Sequence, residues 1–189
     1  SFNALSGTLP LGILSLHSLK VLQLQGNRFS GPLPSDIGLC PHLNTVDLSF
    51  NRFYGEVPTT LQRLKSLNHL DLSKNFLSSG FPVWIGDMTG LVHLDVSRNE
   101  LTGAIPSSVG SLRSLKVIIL SENKLSGEIP ESLESCKELV SVQLKGNGFV
   151  GSIPDGLFNL GLQEIDFSGN GLTSSIPRGS SRLFESLVT

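Results

Sequence analysis

Two short segments hold residues able to do chemistry at close quarters: His69-Leu70-Asp71-Leu72-Ser73-Lys74 and His93-Leu94-Asp95-Val96-Ser97-Arg98. The alternating apolar residues mark each as a strand, and residues two apart on a strand share a face. Each segment therefore sets an imidazole beside a carboxylate, with a cation close behind. Two His and two Asp invite a metal, but side chains on a flat strand ladder converge poorly on a metal's coordination sphere. A contact patch whose charge follows pH fits better, because His titrates near neutrality. Catalytic arrangements are missing: there is no Ser-His-Asp order, no activated Cys and no paired carboxylates in a cleft. Gly146-Asn147-Gly148-Phe149-Val150-Gly151 matches a dinucleotide-loop spacing, but Ser152-Ile153-Pro154 follows where that loop requires a helix. No catalytic residue, cofactor or metal is expected.

What positions the two segments is a repeat. Asn3, Asn27, Asn51, Asn75, Asn99, Asn123, Asn147 and Asn170 are separated by 24 residues, with a last gap of 23. A Pro follows each by seven: Pro10, Pro34, Pro58, Pro82, Pro106, Pro130, Pro154 and Pro177. The unit reads LxxLxxLxLxxNxLxGxIP, as in Leu112, Leu115, Ile118, Leu120, Asn123, Leu125, Gly127, Ile129 and Pro130. The x-Leu-x-Leu-x stretch predicts a short strand with one buried face, and strands of successive coils stack in parallel. Asn turns inward and satisfies backbone groups that would cost about 1–3 kcal/mol each if left unpaired. Gly lets the backbone bend, and Pro fixes φ where no strand continues. An apolar residue three after Pro (Ile13, Ile37, Leu61, Ile85, Val109, Leu133, Leu157) closes the core from the other side.

The composition agrees. Charged residues are 16% of 189, while Gly (20) and Pro (10) are abundant, as a core running the length of an array with breakers at its corners requires. A net charge of −2 excludes a strongly basic nucleic-acid binder. No apolar run exceeds four residues, Val117 to Leu120. Cys40 and Cys136 share one slot four repeats apart, roughly 19 Å at the spacing of stacked strands. Both are predicted to be free and buried, since a disulfide needs Cα atoms within about 7 Å.

Outward strand positions form columns predicted to face solvent. One runs Val21, Thr45, His69, His93, Val117, Ser141, Glu164, and the next Gln23, Asp47, Asp71, Asp95, Ile119, Gln143, Asp166. A third runs Gln25, Ser49, Ser73, Ser97, Ser121, Lys145, Ser168, and a rim column Gly26, Phe50, Lys74, Arg98, Glu122, Gly146, Gly169. The recurring Asp and Ser are the default of the repeat and departures carry more: His69 and His93 depart, and with the default Asp71 and Asp95 beside them and Lys74, Arg98 and Phe50 at the rim they are the candidate partner-binding residues. Tyr54 and Trp84 join them as an aromatic pair on the flank, where rings either contact a partner or lie over neighbouring coils. They border the one irregular repeat, Leu77-Ser78-Ser79-Gly80-Phe81-Pro82, in which Gly is displaced by one position.

The Gly-x-Ile-Pro step and the 24-residue unit resemble the plant-specific leucine-rich repeat, over residues 1–189 without a gap. The pattern is similar to the extracellular region of plant leucine-rich-repeat receptor-like kinases. The resemblance implies an α/β repeat solenoid: a right-handed superhelix with a parallel concave β-sheet, short flank strands and short 3-10 or helical convex segments. It implies a single array of about eight repeats over 1–189, uncapped at both ends and so an internal piece of a longer array. It implies recognition of an extracellular peptide, a small molecule or a co-receptor ectodomain on the concave or flank surface. Signalling would run through a kinase outside this chain, at the extracellular face of the plasma membrane, with the membrane reached only by a segment outside this chain. Receptors that read a peptide's terminal carboxylate with Arg-x-Arg on one strand have no counterpart here. The alternative is a secreted cell-wall protein such as a polygalacturonase-inhibitor-like one. Its more basic concave face and Cys-sealed ends are missing. No Asn-x-Ser/Thr sequon occurs, which predicts an unglycosylated mass.

Overall fold

In a computed structural model, the described residues are 3–10, 12 and 16–173; Ile13, Pro177 and the chain end fall outside them. Each coil contributes one strand to a continuous parallel sheet of seven: β2 (Val21–Gln23), β4 (Thr45–Asp47), β6 (His69–Asp71), β8 (His93–Asp95), β10 (Val117–Ile119), β12 (Ser141–Gln143) and β14 (Glu164–Asp166). The central residue of each strand points into the core. Leu22, Val46, Leu70, Leu94, Ile118 and Val142 are buried, as are Leu48, Leu72, Val96 and Leu120 in the row beside them. Register is one coil per strand, so His69 pairs with His93 and Asp71 with Asp95.

The opposite wall of each coil is a short 3-10 turn, for example Ser35–Leu39, Thr59–Arg63 and Ser107–Ser111. Pro34, Pro58 and Pro106 stand immediately before these turns with φ of −70, −61 and −73. That is the value the pyrrolidine ring enforces, so Pro ends the extended segment and aims the chain into the turn. Ile37, Leu61, Ile85, Val109, Leu133 and Leu157 close the core from this side. Cys40 and Cys136 lie buried in the core as thiols that form no disulfide with each other. Burial pushes the Cys136 thiol up to about 11 against the opposing pull of Arg113, which keeps it protonated and inert.

The Asn residues stitch the coils together. Asn75 Oδ1 accepts from the Phe53 N–H at 3.0 Å, and its Nδ2 donates to the carbonyls of Leu48, Leu72 and Ser73 at 3.0, 3.1 and 3.2 Å. Asn51, Asn99, Asn123 and Asn147 repeat this arrangement in their own coils. A side chain with one acceptor and two donors thereby serves carbonyls of two successive coils, which explains why Asn occupies the slot.

The residue before each Asn is left-handed. Gly26, Gly146 and Gly169 have φ of 67, and Phe50, Lys74, Arg98 and Glu122 have φ between 53 and 58. Gly adopts this region freely, whereas other residues store of order 1–2 kcal/mol there.

A second set of strands follows each Asn on the flank. β1 (Ser6–Gly7), β3 (Arg28–Pro32), β5 (Arg52–Gly55) and β7 (Phe76–Leu77) form one ladder. β9 (Thr102–Gly103), β11 (Lys124–Glu128), β13 (Gly148–Gly151) and β15 (Gly171–Leu172) form another. The ladders part at the irregular repeat, where Gly80 makes a lone bridge to Thr102. Gly31, Gly55, Gly103, Gly127 and Gly151 take φ of 75 to 94 at the position four after Asn. Ser79 holds that position in the irregular repeat, does not enter the left-handed region, and the strand stops at Leu77.

Candidate functional site

The two segments singled out by their side chains lie side by side on β6 and β8. The His69 and His93 rings stack with centroids 4.4 Å apart and planes 17° from parallel. Asp71 and Asp95 form the adjacent column, each accepting from a Ser two residues on: Ser73 N–H at 2.9 Å and Ser97 N–H at 2.8 Å. The Ser N–H thus fixes one oxygen of each carboxylate. At the rim, the Lys74 ammonium sits 3.5 Å from the centre of the Phe50 ring, a cation–π contact. Arg98 follows one coil later.

Depth differs from what alternation predicts. Asp47, Ser49, Ser73, Ser97 and Ser141 were expected to face solvent and are buried instead. Parity sets the face, but neighbouring coils close over short side chains. Asp47 accepts from both the N–H and the hydroxyl of Ser49, at 3.1 and 2.7 Å, so it lies down on the sheet. Burial also acts on the titratable groups. It lowers the pKa of His93, helped by His69 and opposed by Asp71 and Asp47. It raises that of Asp95, against the Ser97 hydrogen bonds and Lys74 and with help from Asp71.

Beyond β8 the concave face opens into a cleft of about 280 Å³ lined in part by Ile119. Lys74, Arg98 and Lys145 line it together with Asp95, Glu122 and Asp166, three cations and three carboxylates. The ion pair formed among the described residues is elsewhere, Lys124 with Glu100 at 3.0 Å, so none of these six is in one. Asp166 is held below the usual carboxylate range: burial would raise it, but Ser168 and Lys145 outweigh that. Among the described residues, no three His, Cys, Asp or Glu side chains are placed to hold a metal ion.

The flank aromatics divide. Tyr54 is exposed and pairs across the ladder with Phe76, which is equally exposed. Trp84 is half-buried against the core and lines a separate cleft of about 250 Å³ with Val57, Phe81 and Val83. Tyr54 is not among the residues lining that cleft. Phe76 escaped sequence reasoning because flank strands pair with a two-residue offset, matching Tyr54 three after its Asn with Phe76 one after its own. Ile119 and Lys145 carried a signal, as departures from the Asp and Ser of their columns. Val83, 73% exposed, carried none.

Leucine-rich-repeat models match residues 41–101 and 89–149, and a second such model matches 18–40 and 161–183. This chain belongs to the leucine-rich-repeat family. Among solved structures this leucine-rich-repeat chain is similar to the ectodomain of the Arabidopsis receptor kinase HAESA in complex with an N-terminally extended IDA peptide hormone. The TM-score is 0.91 and the identity 34%, over 96% of this chain and 30% of that one. It is similar to a TDR receptor, with TM-score 0.88 and 32% identity over 89% of this chain and 30% of that one. It is also similar to a plant ice-binding protein, with TM-score 0.85 and 32% identity over 89% and 55% of the two chains. The leucine-rich-repeat chain thus spans under a third of the two receptor chains. No curated protein matches it significantly. Among the described residues of this leucine-rich-repeat array, no helix is long and apolar enough to cross a membrane.

Proposed function

We propose that this array is a ligand-binding segment of the extracellular region of a plant receptor-like kinase. Its mode of action is recognition of an extracellular peptide on the concave sheet, with a co-receptor ectodomain as a further partner. Signalling passes through a kinase in another part of the protein, at the plasma membrane. The observation that carries this reading is the doubled row on β6 and β8, in which stacked imidazoles, a departure from the repeat, stand beside the consensus carboxylates and the rim cations Lys74 and Arg98. Kinship with peptide-hormone receptor ectodomains supports it, since the fold alone serves unrelated tasks. His69, Asp71, Lys74, His93, Asp95, Arg98 and Phe50 are the proposed contacts on the concave side, and Tyr54 and Trp84 on the flank. A solenoid of similar coils offers surface rather than a closed pocket, which favours binding over catalysis.

The test is a random heptapeptide library panned against the purified chain and against a His69→Ala, His93→Ala, Asp71→Asn, Asp95→Asn variant. Enrichment by the parent chain that falls at least tenfold in the variant is the expected result. Absence of any enriched peptide would overturn the reading. Sequencing the coding region beyond Thr189 is the complementary check, with an apolar segment of about 20 residues and then kinase motifs expected.

A further inference from the structure

The rim slot before each Asn is conformationally suited to Gly, and Gly fills it at Gly26, Gly146 and Gly169. Four successive coils nevertheless hold Phe50, Lys74, Arg98 and Glu122 there in the left-handed region. Strained backbone persists where a side chain is needed. The strained stretch ends beside the cleft over Ile119, and three of its four members bear charge. Lys74 is engaged by the Phe50 ring. Glu122 leans over Gly146, where an added Cβ would come within 3.1 Å of its carboxylate. Arg98 and Lys145 are exposed cations that follow β8 and β12, the strands on either side of β10, and Ile119 of β10 is the apolar residue of the cleft lining.

We propose that this cleft receives an extended peptide segment in which an acidic residue adjoins an aliphatic one, the carboxylate between Arg98 and Lys145 and the aliphatic side chain against Ile119. This rests on the peptide-receptor reading and adds the ligand chemistry. A polyanion is disfavoured because Asp95, Glu122 and Asp166 line the same space, and a polycation because Lys74, Arg98 and Lys145 do. A mixed-charge segment with one apolar anchor satisfies both sets. Each guanidinium or ammonium hydrogen bond to a carboxylate is charge-assisted and so stronger than a neutral one.

The same heptapeptide library tests this with three variants. The parent chain is expected to enrich acidic–aliphatic pairs. Arg98→Gln with Lys145→Gln should reduce the acidic preference at least tenfold while the aliphatic preference stays. Ile119→Asn should do the reverse. Arg98→Gly separates binding from folding: it relieves the strain, so the Tm should hold or rise while the acidic preference weakens. Peptides enriched without that pair, or with a preference unchanged in the variants, would overturn this proposal yet leave peptide recognition standing. Tight binding of a polyuronate oligosaccharide by the parent chain would also overturn it. A library yielding nothing would remove both this proposal and the reading beneath it.

Discussion

Asn75 shows how much one side chain holds. It accepts from Phe53 and donates to three carbonyls in two coils, all buried. Asn75→Ala should lower stability by about 2–4 kcal/mol, read from denaturant melts, because these groups lose their partner. Asn75→Asp should be worse, since a carboxylate would face carbonyl oxygens. At the site, His93 resists protonation below its ordinary value of 6.5. The unfolded chain binds that proton first, so this contribution to stability is full above pH 6.5 and is lost as pH falls through the folded value. Asp95 acts in the opposite sense: its raised pKa favours the folded state below 3.8, and that benefit is lost as pH rises through the folded value. Thermal melts at pH 7 and pH 5 should show His93→Gln losing less stability than the parent as pH falls, by under about 1 kcal/mol because the ring is half-exposed and screened. The spacing of Asn and the parity of His and Asp were legible in the sequence. The depth of Ser73 and Ser97 was not, because alternation specifies a face and says nothing of how closely the next coil covers it.

At the scale of elements, the concave sheet is unbroken while the flank divides in two. The cause is local. The position four after Asn needs the left-handed region, and Ser79 cannot take it cheaply. Exchanging the pair, Ser79→Gly with Gly80→Ala, should extend β7 and join the two ladders. Slowed hydrogen exchange at the amides of residues 78–80 would mark it, and exchange unchanged from the parent would refute it. The displaced Gly was visible in the sequence, so the place of the interruption was legible. The pairing of Tyr54 with Phe76 was not, because the two-residue offset between flank strands arises from how successive coils lean, which a repeat alignment conceals.

Among the described residues, the main contacts between elements join adjacent coils. Stability is then close to a sum over coils and their interfaces. Removing residues 100–123, one 24-residue period, joins Asn99 to Lys124 in register. This deletion should keep the far-UV circular dichroism shape and a cooperative melt, whereas removing twelve residues should unfold the chain by exposing half a coil. The order of strands and turns was legible because the period is so regular. What regularity could not reveal is which stretch of surface is chemically distinct, and that emerged from the strained rim and the cleft beside it.

The Asn stitching has a direction. Asn51, Asn75, Asn99, Asn123 and Asn147 each reach to partners 22 and 27 positions earlier, and Asn170 to partners 21 and 26 earlier, none of them to a later coil. During synthesis, a coil leaving the ribosome finds its predecessor already in place and completes that predecessor's unsatisfied groups, so assembly can advance at the pace of translation from the amino end. Ribosome-stalled chains cut after successive Asn residues should gain protease resistance one coil at a time, and resistance arriving only with the last coil would contradict such a vectorial route.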